Sequence, residues 1–369
     1  MKNCTLLYGK NKLTKNDEEH IIIKGFKEDT CCSCLTIPNE IDGIPVKGIG
    51  SNAFFQADIK TLKLPEGLVY INNNAFDTCD MLQEVLFPSS LRFIGEEAFA
   101  SCIGLKEVIL SEGIEQISDF AFQYAGIERL ILPNSLVEIG TSAFEDGELI
   151  SVTFGSGIKI IGECAFANNK SLKDISFPEG LKTIESQAFD SCGLTYVKLP
   201  ESLNALEFDA FDRCNNLEYL YIGKNLKNDH YVQTLAFLCP KLNTIEVSEL
   251  NEQFKIINGA LYDIHHKELI RVPSDIKEIT IPKWAEAISE DCFYGTTPER
   301  VVIRTPSLDN IHNSSLNNAV NIVCIADSEV EEWVKEYASC SNITVLNSAS
   351  EINSFINSIA NDTQERNNT

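Results

Sequence analysis

The chain contains no apolar run approaching the roughly 18 residues of a membrane span, so insertion into a bilayer is not expected. Cations are scarce: Lys and Arg number 30 against 54 acidic residues, a net charge of −24. A chain this acidic repels a phosphate backbone, which argues against nucleic acid as a partner. The segment from Met1 to Lys10 turns polar before the roughly 7 to 15 apolar residues of a secretory signal could form, and on that ground the residues predict a cytoplasmic protein. Catalytic signatures are missing too: there is no G-x-S-x-G, no H-E-x-x-H and no P-loop. Five histidines (His20, His230, His265, His266 and His312) are scattered through segments that read as irregular, with no evident catalytic acid or nucleophile beside them. Gly155-Ser156-Gly157 with Gly162 falls short of a G-x-G-x-x-G phosphate loop. Neither enzymatic activity nor a cofactor nor a bound metal is expected.

Tryptophan is rare, at 2 residues, but 20 Phe and 44% hydrophobic content suffice for a large core. Of the 13 cysteines, Cys79, Cys102, Cys192 and Cys214 each follow the Phe of an Ala-Phe pair by three residues. A small apolar residue recurring in this way reads as core packing; disulfides are the alternative, and cytosolic thiols stay reduced. Cys31-Cys32-Ser33-Cys34 holds a C-x-x-C, half of a zinc site, whose second half is missing.

Ala-Phe pairs begin at Ala53, Ala75, Ala98, Ala121, Ala143, Ala165, Ala188, Ala210 and Ala236, at steps of 22 or 23 residues until a last step of 26. An aliphatic residue stands four positions before each of the first eight: Ile49, Ile71, Ile94, Ile117, Ile139, Ile161, Ile184 and Leu206. A third column is an L-x-x-L-x-L block, as in Leu82-Val85-Phe87, Leu105-Val108-Leu110 and Leu217-Leu220-Ile222. Three columns in phase define a leucine-rich repeat. A unit of about 22 residues cannot bury its own apolar face and must stack on a neighbour, so the fold class expected is a repeat solenoid with parallel strands on one face, a mostly irregular convex side and a helical cap at the C-terminal end. Pro65, Pro88, Pro133, Pro178 and Pro200 follow the strands and turn the chain. Gly50, Gly95, Gly140 and Gly162 give way elsewhere to Asn72, Ser118, Glu185 and Glu207, so that position does not require positive φ.

The block Leu130-Ile131-Leu132-Pro133-Asn134-Ser135-Leu136-Val137-Glu138-Ile139-Gly140-Thr141-Ser142-Ala143-Phe144 resembles the BspA-like leucine-rich repeat family, and the likeness runs from about Leu35 to Cys239. The resemblance implies adhesion or recognition, often at microbial cell surfaces, which contrasts with the cytoplasmic reading. Residues 1–34 are expected to cap the first edge, followed by repeats over 35–249, a hairpin insertion at 250–274, degenerate repeats at 275–325, a helical cap at 326–360 and a disordered tail at 361–369. The hairpin consists of apolar strands at Ile256 to Asp263 and Glu268 to Pro273 around a turn at Ile264 to Lys267. In the cap, Ser328-Glu329-Val330-Glu331 forms a capping box, with Val330, Trp333, Val334 and Tyr337 at helical spacing. A strand at Ile343 to Leu346 follows, then a second helical stripe of Ile352, Phe355, Ile356 and Ile359, read as a docked end helix, with partner binding the alternative.

Strand alternation aims the third and fifth positions of each block outward, and two candidate binding patches result. Leu86, Ile109 and Ile131 form an aliphatic ladder flanked by Glu84, Glu107 and Arg129; Tyr196, Tyr219 and Tyr221 cluster beside Lys198. Exposed aromatics beside a cation suit a binding hot spot, although strand propensity alone also favours such residues. The function expected is a non-catalytic scaffold that binds a protein ligand through its strand face. The alternatives are a carbohydrate-binding module using the tyrosines and a self-assembling structural protein.

Overall fold

The computed structural model describes residues 5–12, 19–27, 32–227, 238–305, 308, 310–311, 319, 321–337, 342–348 and 350–358. They form two compact units, Met1–Asn215 and Asn216–Thr369.

In the first unit each repeat contributes to two parallel ladders. One is built from the L-x-x-L-x-L blocks: Cys34–Thr36, Thr61–Lys63 and Glu84–Leu86 pair in register, as do Glu107–Ile109, Arg129–Ile131 and Ser151–Thr153. Their central residues, such as Leu62, Val85, Val108 and Leu130, are buried, and their flanking residues face out. The second ladder uses the aliphatic column before Ala-Phe, with two-residue strands from Tyr70–Ile71 through Ala205–Leu206 stacked on Ile44–Ile49. The side expected to be irregular thus carries its own hydrogen-bonded ladder. At its open edge, His20–Phe26 pairs parallel with Ile44–Ile49 and Leu6–Asn11 pairs antiparallel with His20–Phe26. His20, read as lying in an irregular segment, is a buried strand residue whose Nε2 meets the Tyr70 hydroxyl at 2.8 Å.

Between the ladders run the Ala-Phe turns. Two residues per turn, four apart, sit in the left-handed region without being glycine: Asn74 and Thr78, Glu97 and Ser101, Ser142 and Asp146 are three of the pairs, with φ between 52° and 57°. Such a backbone costs on the order of 1 kcal/mol or more per residue. It is held by neighbouring repeats, since Asn74, Phe76 and Thr78 donate their N–H groups to the carbonyls of Glu96, Ala98 and Ala100 at 2.8–2.9 Å. Left-handed turns aim these amides along the solenoid rather than back into their own repeat. Gly50, Gly95, Gly140 and Gly162 are absent from the positive-φ positions, in agreement with the sequence reading.

The Phe of each pair enters a single stack. Phe54, Phe76, Phe99, Phe122, Phe144, Phe166, Phe189 and Phe211 have successive centroids 5.1–5.4 Å apart with ring planes within 13° of parallel. Beside it lies a thiol row: Cys79, Cys102, Cys192 and Cys214 donate to the carbonyls of Phe54, Phe76, Phe166 and Phe189, one repeat back, at 3.1–3.3 Å. Burial pushes the Cys79 and Cys192 thiols up to about 12, so they stay protonated donors. None of the four is in a disulfide. Cys32, by contrast, is disulfide-bonded; Cys31 of the C-x-x-C lies outside the described residues.

The second unit begins with Tyr219–Ile222 paired parallel to Thr244–Val247; Ala236-Phe237 lies outside the described residues. The insertion differs from the expected hairpin. It is a three-stranded antiparallel meander, Phe254–Ile257, Ala260–Asp263 and Glu268–Arg271, because the run read as one strand folds back at Asn258-Gly259. Both turn residues have positive φ, 52° and 83°, the left-handed pair that an Asn-Gly hairpin turn needs. Glu268–Arg271 then pairs parallel with Ala287–Ile288, so the meander's last strand starts a new short-strand ladder. The block ladder resumes as Glu278–Ile281, Arg300–Ile303, Asn321–Ile325 and Asn342–Leu346.

The turn at 264–267 is tied down by Asp263. Its buried carboxylate accepts the N–H groups of His265 and His266 at 2.9 and 3.0 Å, His266 Nδ1 at 2.8 Å and Gln253 Nε2 at 2.7 Å. Nearby, burial raises the Glu268 carboxyl to about 7, opposed by a 2.7 Å hydrogen bond from Ser289 and reinforced by the charge of Asp263. A carboxyl whose pKa is higher folded than unfolded holds its proton better in the native state. Stability should therefore fall as pH rises from about 4.5 to about 7, then level off. Glu268→Gln is expected to flatten this dependence and raise the melting temperature at pH 8 relative to the parent, as calorimetry across that range would show. An unchanged profile would remove Glu268 as its source.

The helix Glu329–Tyr337 opens with Ser328 Oγ accepting the Glu331 N–H at 3.1 Å, while Glu331 accepts the Asp327 N–H at 2.6 Å. Val330 and Val334 are buried in the unit's core with Val301, Ile322 and Cys324. A second helical segment, 350–358, starts at an analogous box in which Ser348 Oγ accepts from Glu351 N and Glu351 accepts from Asn347 N. Its Ile352 is buried against Val302 and Val323, with Phe355 and Ile356 packed on the same cluster; Ile359 lies outside the described residues.

Candidate functional site

On the block ladder of the first unit, the outward positions are as alternation requires. Leu86 is 73% exposed and Ile109 49%, and Ile131 stands beside Ile109 in register on the adjacent strand. A third-position ion pair borders them, Arg129 reaching Glu107 at 3.0 Å, both half exposed. Lys106 bridges Glu128 and Glu148 at 3.3 and 2.7 Å on the neighbouring edge. Exposed pairs like these contribute at most about 1 kcal/mol to stability. They nevertheless leave an apolar strip bordered by fixed charges, and three outward aliphatics on consecutive blocks are an unusual use of solvent-facing strand positions.

The tyrosines divide between units. Tyr196, 44% exposed, and Lys198 lie on the strand Tyr196–Lys198 in the first unit, where Tyr196 bridges Asp174. Tyr219 and Tyr221 lie half-buried on Tyr219–Ile222 in the second, and the Tyr219 hydroxyl donates to Glu246 at 2.7 Å.

One residue important to the scaffold was missed by the sequence reading. Asn169, fully buried, takes the place that cysteine holds in other repeats. Its Nδ2 donates to the carbonyls of Phe144 and Phe166, both at 2.8 Å, and its Oδ1 accepts the Leu149 N–H at 3.1 Å. Gly147 leaves room for it, since a Cβ there would come within 2.8 Å of Oδ1. The only available signal was an Asn at the third position after Phe, where cysteine recurs. A second acid and base cluster, Asp190 with Arg213, is also structural: Asp190 is buried and holds both Nε and a terminal nitrogen of Arg213. Burial and the neighbouring Asp212 and Asp190 push Asp209 up to about 6.

Clefts are shallow. The second unit has one of about 390 Å³ where Ile356 of the end helix meets Glu278, Thr280, Arg300, Val302 and Arg304. The first has one of about 460 Å³ lined by Lys12, Tyr70, Arg92 and Phe93 among others. Neither gathers a nucleophile with a base. Among the described residues no group of three His, Cys, Asp or Glu could hold a metal ion, and no helix is long and apolar enough to cross a membrane.

Parallel blocks stacked once per 22 or 23 residues around an aromatic spine define a leucine-rich repeat solenoid. The chain belongs to the BspA type leucine-rich repeat family, whose model matches in 6 copies over residues 20–150, 138–264 and 271–365. Its fold is similar to that of a leucine-rich repeat protein from Bacteroides ovatus, at 17% identity over 94% of this chain and 100% of that one, with a TM-score of 0.56. It is similar also to that of a leucine rich cell surface protein from Faecalibacterium prausnitzii, at 16% identity over 95% and 97% of the two chains, TM-score 0.52. No curated protein matches this chain.

Proposed function

We propose that the protein is a non-catalytic recognition scaffold that binds a protein ligand on the block-strand face of its first unit, through Leu86, Ile109 and Ile131. The observation that carries this reading is the outward aliphatic strip itself, bordered by the Glu107–Arg129 pair. Buried in an interface, such a strip would contribute on the order of 25 cal/mol per Å² of apolar area, and the charged border would set orientation and exclude wrong partners. A parallel ladder supports it from behind, so little ordering cost falls on binding. The display of such a scaffold at a cell surface, the setting named for the Faecalibacterium prausnitzii relative, belongs to the same proposal.

A triple Ser replacement of Leu86, Ile109 and Ile131 should leave melting nearly unchanged, surface changes being within about 0.5 kcal/mol each. It should weaken a purified partner's binding by about 2 kcal/mol or more, read by calorimetry. Ser replacement of Tyr196, Tyr219 and Tyr221 is the matched control. If only the tyrosine variant loses binding, and periodate treatment of the target abolishes it, the ligand is a carbohydrate and the aliphatic strip is the wrong site.

A further inference from the structure

The second unit already carries a helix on a strand face of the kind left open in the first. There, Glu278 and Arg300 stand at neighbouring third positions and pair at 2.9 Å, with Thr280, Val302 and Val323 at the fifth positions beside them. The helix 350–358 lies over that face. Ile352 seats against Val302 and Val323, and Phe355 sits with its ring centroid 5.6 Å from the Arg300 guanidinium carbon. Asn353, on the helix flank, accepts a 2.8 Å hydrogen bond from Arg304.

In the first unit the same chemistry recurs in the same register: Glu107 pairs with Arg129 at neighbouring third positions, and Ile109 and Ile131 occupy the fifth. The difference is that Glu107, Arg129 and Ile109 are solvent-exposed and Ile131 half-buried, with Leu86 the most exposed on the preceding block, and that Glu84 makes no ion pair among the described residues. Arg129 matches Arg300 and Ile131 matches Val302, while Ile109 adds an aliphatic side chain where the covered face has Thr280. A surface of this composition, when covered within this chain, is covered by an amphipathic helix with aliphatic, aromatic and aliphatic residues at i, i+3 and i+4. Charge decides the flank. Where the covered face presents the cation Arg304, the helix supplies an acceptor; where the open face presents the Glu84 carboxylate, the complementary flank is a cation.

We propose that the Leu86, Ile109, Ile131 strip, with Arg129 and Glu84, receives a short amphipathic helix of a partner protein, an aromatic residue stacking on Arg129 and a Lys or Arg on its flank meeting Glu84. This rests on the reading of the strand face as the binding surface and names its ligand class. Two fluorescent peptides of residues 347–358 serve as probes with the full chain, each stapled through positions 354 and 358 on the side away from the apolar seam. One keeps Asn353 and the other carries Asn353→Lys. Saturable binding is expected, tighter for the lysine peptide at low salt, with that advantage lost in Glu84→Gln. Ile109→Ser with Ile131→Ser should weaken both peptides about tenfold or more without lowering the melting temperature. A benzophenone at position 355 should cross-link to residues 84–131. No saturable binding, affinities indifferent to these variants, or cross-links confined to 278–325 would each overturn the helix proposal. If the peptides fail while the triple Ser variant still abolishes binding of the natural partner, the face reading stands and the ligand is not a helix; if both fail, both are wrong.

Discussion

Phe144→Ala is expected to destabilise the first unit by about 3 to 5 kcal/mol, the range for truncating a buried Phe and leaving a cavity. Phe144 is sandwiched by Phe122 at 5.3 Å and Phe166 at 5.4 Å, with planes 6° and 12° from parallel. Its loss removes two stacked contacts as well as the buried area, and stacked pairs add about 0.5–1.5 kcal/mol beyond burial. Solenoid stability is divided among neighbouring repeats, so the damage should be local. Amide exchange should accelerate first in the turns around Ala121–Ala125 and Ala165–Ala167, whose amides and carbonyls ladder with residues 143–146. Chemical denaturation should report the loss in ΔG. A cost below about 1 kcal/mol, or exchange unchanged in those turns, would show that the stack is not the spine of the core.

The second large effect belongs to Asn169. Asn169→Ala leaves the carbonyl of Phe144 and the N–H of Leu149 without their side-chain partner in a buried setting. Each unmet buried group costs roughly 1–3 kcal/mol, so about 2–6 kcal/mol is expected in total. Asn169→Cys should recover part of it. The thiol can donate to Phe144 as Cys192 does to Phe166 at 3.1 Å, but its sulfur is only a weak acceptor for Leu149 N–H. The order expected in denaturant midpoints is Asn, then Cys, then Ala. Equal losses for Cys and Ala would mean that Leu149 N–H, not the Phe144 carbonyl, dominates. Leu149 follows Phe144 by five residues, where Leu82 follows Phe76 by six. In the longer turn Leu82 N–H reaches the Cys79 carbonyl at 2.9 Å; in the shorter one the next repeat supplies the acceptor.

Much of the architecture was legible because each column repeats. A periodic Ala-Phe pair can satisfy burial in only one way, by stacking on its own copy one turn on, and the eight-ring spine follows. The outward face was equally legible: Glu107 and Ile109 flank the buried Val108, and alternation admits no other arrangement once Val108 is inside. What escaped were features carried by single residues. Asn258-Gly259 was absorbed into a strand because the residues around it are apolar, yet the left-handed pair it adopts turned the expected hairpin into a meander. The second ladder escaped because its strands are two residues long and carry no alternation to read.

The sequence by itself determined the solenoid, its repeat length, the phenylalanine spine and which strand positions face solvent, since these depend only on period and polarity. Tertiary structure alone decided that the turns use left-handed, non-glycine residues held by the next repeat, because nothing in a residue's identity pays that strain until a neighbour's carbonyl is in place. It alone decided that Asn169 substitutes for cysteine, since its partners lie one repeat back in space. It also decided that the helix 350–358 lies across the strands bearing Val302 and Val323, whereas the comparable strip at Ile109 and Ile131 stays open. The apolar stripe of that helix was readable, but which face it would cover depends on where the strands of a folded unit leave a matching surface.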